Sequence, residues 1–99
     1  MNAEVQELGL SGQEFVMFST DWCGYCKRLK SQLDENGITF REINVEQEMN
    51  YASFVEKVNG GNRVVPTLLF SDGAALTNPS VIAVKEKLAS LEITFRASF

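Results

Sequence analysis

The sequence predicts an α/β domain: a four-stranded mixed sheet flanked by three helices, in the order β-α-β-α-β-β-α. Three observations lead there. Phe15-Val16-Met17-Phe18 is an unbroken apolar run, as expected of a strand covered on both faces. Three later segments carry apolar residues at helical spacing. Asp72-Gly73 is a turn signal that splits an apolar run from a short return strand. The chain has 99 residues, which fits one domain.

Taken in order, residues 1–13 hold several polar side chains with Gly9 and Gly12, so a loose lead-in is expected before a domain spanning 14–90. The apolar run makes residues 14–19 a central strand. Cys26, Leu29 and Leu33 share one face of a helix over 24–35, and Asn36-Gly37 ends it. Residues 38–45 read as the second strand; the adjacent Arg41 and Glu42 suit a sheet edge. In Glu46-Gln47-Glu48 the two glutamates place negative charge where the second helix should begin. Tyr51, Phe54, Val55 and Val58 form its stripe, and Asn59-Gly60-Gly61-Asn62 stops it.

Residues 63–71 contain the third strand and 74–77 the fourth. Asn78-Pro79 offers an N-cap followed by proline at the first helical position. Val81, Val84, Leu88 and Leu91 then mark a third helix to about residue 90. In the tail, 91–99, Ile93, Phe95, Ala97 and Phe99 alternate. A short strand, a partner-binding segment and disorder all fit it, and no role is assigned. Strand–helix–strand at the start implies a right-handed parallel crossover, and the final hairpin an antiparallel pair.

The net charge of −4 argues against nucleic acid as the main partner. No stretch approaches the ~20 apolar residues of a membrane span. Met1-Asn2-Ala3-Glu4 lacks the basic flank and apolar core of a secretion signal, so the expectation is a cytoplasmic protein without membrane partners.

The two cysteines, Cys23 and Cys26, stand three positions apart where the first strand meets the first helix. Cysteine is often just a small buried apolar residue. A Cys-x-x-Cys pair at a strand-to-helix junction instead points to redox chemistry. A tetrahedral metal needs four N or S ligands, and the chain has two cysteines and no histidine. A ring this small would constrain little of the unfolded chain. Helical spacing separates the thiols. Cys26 lies on the core-facing stripe, whereas Cys23 precedes the first turn, at the exposed end. There the helix dipole and unpaired N–H groups favour thiolate. Lys27, Arg28 and Lys30 add positive charge nearby. Cys26 can attack a mixed disulfide at Cys23 from within the same chain.

Trp22 and Tyr25 flank the thiols: Trp22 is read as packing, Tyr25 as lining a groove. Asp21 reads as a helix-entry residue. In Val65-Pro66-Thr67 the proline either opens an edge strand or is cis, leaving the Val65 backbone to pair with an extended substrate. Asn78 and Ser80 are expected as caps, with N–H groups beside them that could meet a ligand's polar head group.

Trp22-Cys23-Gly24-Tyr25-Cys26 and Val65-Pro66-Thr67 in this order of elements resemble the glutaredoxin branch of the thioredoxin superfamily. The likeness is closer to the mycoredoxins, the actinobacterial glutaredoxin-like proteins. It extends to Val58-Asn59-Gly60-Gly61-Asn62-Arg63 and to Leu76-Thr77-Asn78-Pro79-Ser80, covering about residues 14–90. The resemblance implies a thioredoxin fold and a thiol–disulfide oxidoreductase that reduces mixed disulfides between proteins and mycothiol. Mycothiol would be the reducing co-substrate, with no tightly bound cofactor and no metal, in a monomer. It implies Cys23 as the nucleophile and Cys26 as a resolving or backing thiol, dispensable on a one-thiol route. It also implies a cis Pro66 and a substrate held by the Val65 backbone; the candidate substrate-binding residues are Trp22, Tyr25, Val65, Pro66, Thr67, Asn78 and Ser80. Gly24 stands where typical glutaredoxins have proline, and 76–80 replaces their double-glycine and aspartate pattern for glutathione. Two other roles fit the thiols: a dithiol donor reduced by a flavoprotein, as in ribonucleotide-reductase redoxins, and a dimeric iron–sulfur binding protein.

Overall fold

The computed structural model describes residues 8–10, 12–61 and 64–97. Its elements are β1 (Phe15–Ser19), α1 (Gly24–Glu35), β2 (Arg41–Asn44), α2 (Ala52–Val58) after a 3₁₀ turn at Met49–Tyr51, β3 (Thr67–Phe70), β4 (Ala75–Thr77) and α3 (Val81–Ala97). The sheet order is β2-β1-β3-β4. β1 pairs parallel with β2, with Val16 opposite Arg41, and antiparallel with β3, with Val16 opposite Leu69. β3 and β4 form the antiparallel hairpin. This is the thioredoxin-like α/β architecture, with β1 at the centre and β2 at an edge.

The alternation of side chains along a strand explains the apolar run. Val16 and Phe18 join Ile43, Leu69 and the α2 residues Ala52, Phe54 and Val55 on one face. Phe15 and Met17 join Leu29 and Leu33 of α1, Val84 and Leu91 of α3, and Leu68 and Phe70 on the other. Both faces of β1 are covered, so every side chain along it is buried. Because Thr67 has the same parity as Leu69, it faces α2.

α1 ends as its sequence requires. Gly37 has φ 68°. Its N–H donates to the Asp34 carbonyl, and the Ile38 N–H donates to the Leu33 carbonyl, the paired bonds of a Schellman stop. Glycine takes this left-handed conformation without a Cβ clash.

Several expectations change. In the lead-in, Leu10 is buried in the α2-side core with Leu8 packed against it. Ser71 Oγ donates to the Gly12 carbonyl at 2.5 Å, and Gln13 Nε2 to the Leu88 carbonyl at 2.8 Å. The Arg41 guanidinium donates to the Leu8 carbonyl, so the lead-in is tied to β2 on the face where Ile43 meets Leu10. Isolated apolar residues between polar ones carry no periodicity, which hid this packing. β2 is shorter than 38–45, with Ile38 and Phe40 packing from outside the ladder. The second helix does not begin at Glu46. The Asn44 side chain accepts from the Glu46 N–H (2.9 Å) and folds 44–47 into a turn, which places the charges a turn too early for the α2 dipole. α3 begins at Val81 and is capped by Ser80, whose hydroxyl accepts from the Ala83 N–H at 3.1 Å; Asn78 has φ 46° and stands outside the helix. The backbone of α3 runs on to Ala97, past the expected end near 90. Asn62 and Arg63 of the glycine-rich run lie outside the described residues. Among the described residues no helix is long and apolar enough to cross a membrane.

At the β2 edge, partial burial would raise the Glu42 pKa. Hydrogen bonds from Lys30 Nζ (2.8 Å) and the buried Ser19 Oγ (2.6 Å), with the Lys30 charge, outweigh that and hold it below its ordinary value. A carboxylate lowered on folding stabilises the native state above its unfolded pKa, about 4.3, and loses that contribution as pH falls through the folded value. Denaturation midpoints measured from pH 6 downward should therefore fall below about pH 4.5, and fall less steeply in Glu42→Gln. Asp72, held low by Lys87, leaves a residual slope in that variant.

Candidate functional site

The turn from β1 into α1 sets the site. The Cys23 N–H donates to the Thr20 carbonyl at 3.4 Å. Cys23 has extended backbone angles (φ −78°, ψ 106°) and is the N-cap of α1. Its Sγ accepts from the Cys26 N–H at 3.0 Å, where Ser or Asp oxygen usually serves. Cys23 and Cys26 are joined as a disulfide, with Cα atoms 5.2 Å apart. Cys26 is fully buried on the stripe with Leu29 and Leu33, as its spacing predicts. Cys23 is not at an exposed end, since only 3% of it is accessible. It lines a groove of about 640 Å³ together with Trp22, Tyr25, Arg28, Val64 and Val65, and these neighbours shield it. The asymmetry of the thiols is therefore one of groove against core.

Two groups act on the Cys23 sulfur. The Cys26 N–H at the helix start favours negative charge there. The Val65 carbonyl oxygen, 3.6 Å away, opposes charge and is placed to accept from a protonated thiol. Of the nearby cations, Arg28 lines the groove, while Lys30 is engaged by Glu42.

Trp22 does not pack into the core. It is 68% exposed, and its indole N–H donates to Glu46 Oε2 at 3.0 Å. Asn44, which folds the Glu46 turn, also donates from Nδ2 to Asp21 Oδ1 at 2.9 Å. The loop after β2 thus holds one wall of the groove. Glu46 was missed because an acidic residue after a strand reads as helix-start charge. Tyr25, 66% exposed, lines the groove as expected. A Cβ built at Gly24 meets nothing within 4 Å, so space does not demand glycine there.

The Val65–Pro66 peptide is cis. Pro66 is buried, and its carbonyl accepts from the Asn78 N–H at 2.7 Å. Among the described residues the Val65 N–H meets no acceptor. Thr67 is fully buried and not available for substrate contact. Its hydroxyl donates to the Val64 carbonyl at 2.7 Å and accepts from Asn59 Nδ2 at 3.2 Å. The central position of β3 beneath α2 accounts for this. Asn78 and Ser80 lie in a neighbouring depression of about 390 Å³ that shares Tyr25 and Arg28 with the cysteine groove and is bordered by exposed Ile82.

Residues 15–74 match the sequence profile of the family described as Glutaredoxin. A provisionally named glutaredoxin of Mycobacterium tuberculosis is 51% identical over 76 residues, 77% of this chain and 90% of that protein. Mycoredoxin 1 of Corynebacterium glutamicum is 41% identical over 76 residues, covering 77% of this chain and 94% of its own. Among solved structures, wheat glutaredoxin superposes with a TM-score of 0.65 at 24% identity, over 93% of this chain and 90% of that one. A buckwheat glutaredoxin–glutathione complex gives 0.64 at 22% identity, over 95% and 96%. These two show likeness of fold.

Trp22 is the sole tryptophan and borders the groove that Cys23 lines. Disulfides quench nearby indoles, so reduction of Cys23–Cys26 should raise the intrinsic fluorescence. Trp22→Phe should abolish the signal. Emission recorded during a dithiothreitol titration checks both.

Proposed function

Since this chain belongs to the glutaredoxin family of thiol–disulfide oxidoreductases, we propose that it reduces protein–mycothiol mixed disulfides with Cys23 as the nucleophile. The observation that carries this reading is that Cys23 lines the groove while Cys26 is fully buried. The Cys23 thiolate attacks the mycothiol sulfur. The S–S bond to the protein breaks, and the departing thiolate takes a proton. A second mycothiol thiolate then attacks the mycothiol sulfur held on Cys23, releasing mycothiol disulfide and regenerating the Cys23 thiolate. In a competing dithiol route Cys26 attacks Cys23, giving the disulfide that joins them here and one free mycothiol.

Trp22 and Tyr25 would flank the mixed disulfide, and the Val65 backbone, ending at cis Pro66, would pair with the substrate. Likeness to Mycoredoxin 1 supports mycothiol as the small thiol. The depression beside the groove supports it too: Gln32, Asn78 and Ser80 present uncharged hydrogen-bonding groups suited to a hydroxyl-rich head group. On this reading the protein works in the cytoplasm as a monomer, on mycothiolated proteins, without a resident cofactor.

Cys26→Ser, mixed with a mycothiolated protein and excess mycothiol, should keep turning over. Efficient turnover of glutathione mixed disulfides but not of mycothiol ones would overturn the small-thiol assignment. Loss of turnover with either thiol would replace the one-thiol route with a dithiol one. Cys23→Ser should be inactive in every assay, because a serine hydroxyl is not ionised at neutral pH.

A further inference from the structure

Segment 64–66 faces the Cys23 sulfur, and its outer side is held at Pro66 by the Asn78 N–H. A second set of bonds holds it from behind. The Thr77 hydroxyl donates to Asn59 Oδ1 at 2.5 Å. Asn59 Nδ2 donates to the Val55 carbonyl at 2.7 Å and to Thr67 Oγ1 at 3.2 Å. The Thr67 hydroxyl in turn donates to the Val64 carbonyl at 2.7 Å. The donors point one way along this chain, so each bond polarises the next. It runs from β4, through the C-cap of α2 and the start of β3, to the residue beside Val65.

We propose that Asn59 and Thr67 are positioning residues for peptide substrates. Their relay fixes segment 64–66 so that the Val65 amide, which has no acceptor among the described residues, stands ready beside Cys23. The inference rests on the reading that the Val65 backbone holds the substrate, and does not depend on which small thiol is used. Thr67, whose side chain is shut off from the groove, then acts on the reaction through Val64. Asn59 acts through Thr67, from a helix end that reads in the sequence as a simple stop.

The test uses reduced protein in single turnover without added thiol, followed by Trp22 fluorescence. Two disulfides are compared: a cysteine peptide in mixed disulfide with 2-mercaptoethanol, and the symmetrical 2-mercaptoethanol disulfide, which has no peptide backbone. In each, the Cys23 thiolate displaces one thiolate, Cys26 displaces the second, and the chain ends as the disulfide. Thr67→Val removes both bonds of the hydroxyl, and losing the one it donates to the Val64 carbonyl should raise the half-saturating peptide concentration about 5-fold. The maximal rate and the small-disulfide rate should be unchanged, and Thr67→Ser should restore peptide binding. Thr77→Val, at an exposed position, should give a smaller rise of the same kind and serves if Thr67→Val does not fold. An unchanged peptide constant, or equal loss with both disulfides, would overturn the proposal. Failure of the mycothiol assignment would leave these outcomes untouched, because no mycothiol is present.

Discussion

The Cys26 amide donates to the Cys23 sulfur across 3.0 Å, and the rest of the site depends on that bond. A helix must satisfy the N–H groups of its first turn. Here the Cys23 sulfur performs that task, so the proposed nucleophile is also the end of α1. Cys23 then cannot turn away from the helix without leaving an amide unpaired. The cap also gives the two sulfurs different surroundings. It places Cys23 against the groove and sends Cys26, one turn on, into the stripe with Leu29 and Leu33. Against this stands the Val65 carbonyl, 3.6 Å from the same sulfur. With the disulfide reduced, one partner would favour a thiolate at Cys23 and the other a thiol, and the two come from distant parts of the chain.

That second partner explains why the sheet order matters. β1 delivers Cys23 at its C-terminal end, and β3 starts directly beside it, antiparallel, with Phe18 opposite Thr67. The residues just before β3 therefore meet those just after β1. The loop after β2, parallel to β1, ends at the same rim and supplies Glu46 to Trp22. Three loops that are remote in sequence converge because their strands are neighbours in the sheet.

What could be read from the sequence was what repeats. The apolar run of β1, the stripes of α1 and α2, the Asn36-Gly37 stop and the Asp72-Gly73 turn each leave a periodic or conformational mark. The thiol spacing does too. What could not be read was one-off. Leu10 in the core, Trp22 on the surface and Glu46 on its indole N–H depend on single contacts between segments. Thr67 carried a motif identity that suggested substrate contact, yet its parity along β3 turns it toward α2. Asn59 looked like a helix terminator, because its hydrogen bonds reach residues that only the folded sheet brings near.

The charges on β2 have a consequence for aggregation. A sheet's outermost strand offers unpaired backbone groups to any passing chain and is a standing invitation to aggregation. β2, at the edge, carries exposed Arg41 and Glu42, one on each face, and the Arg41 guanidinium is bonded to the Leu8 carbonyl of the lead-in. At the opposite edge β4 is only three residues long. The protein can thus present an open, aromatic-walled groove to foreign polypeptides while its sheet offers them little to extend.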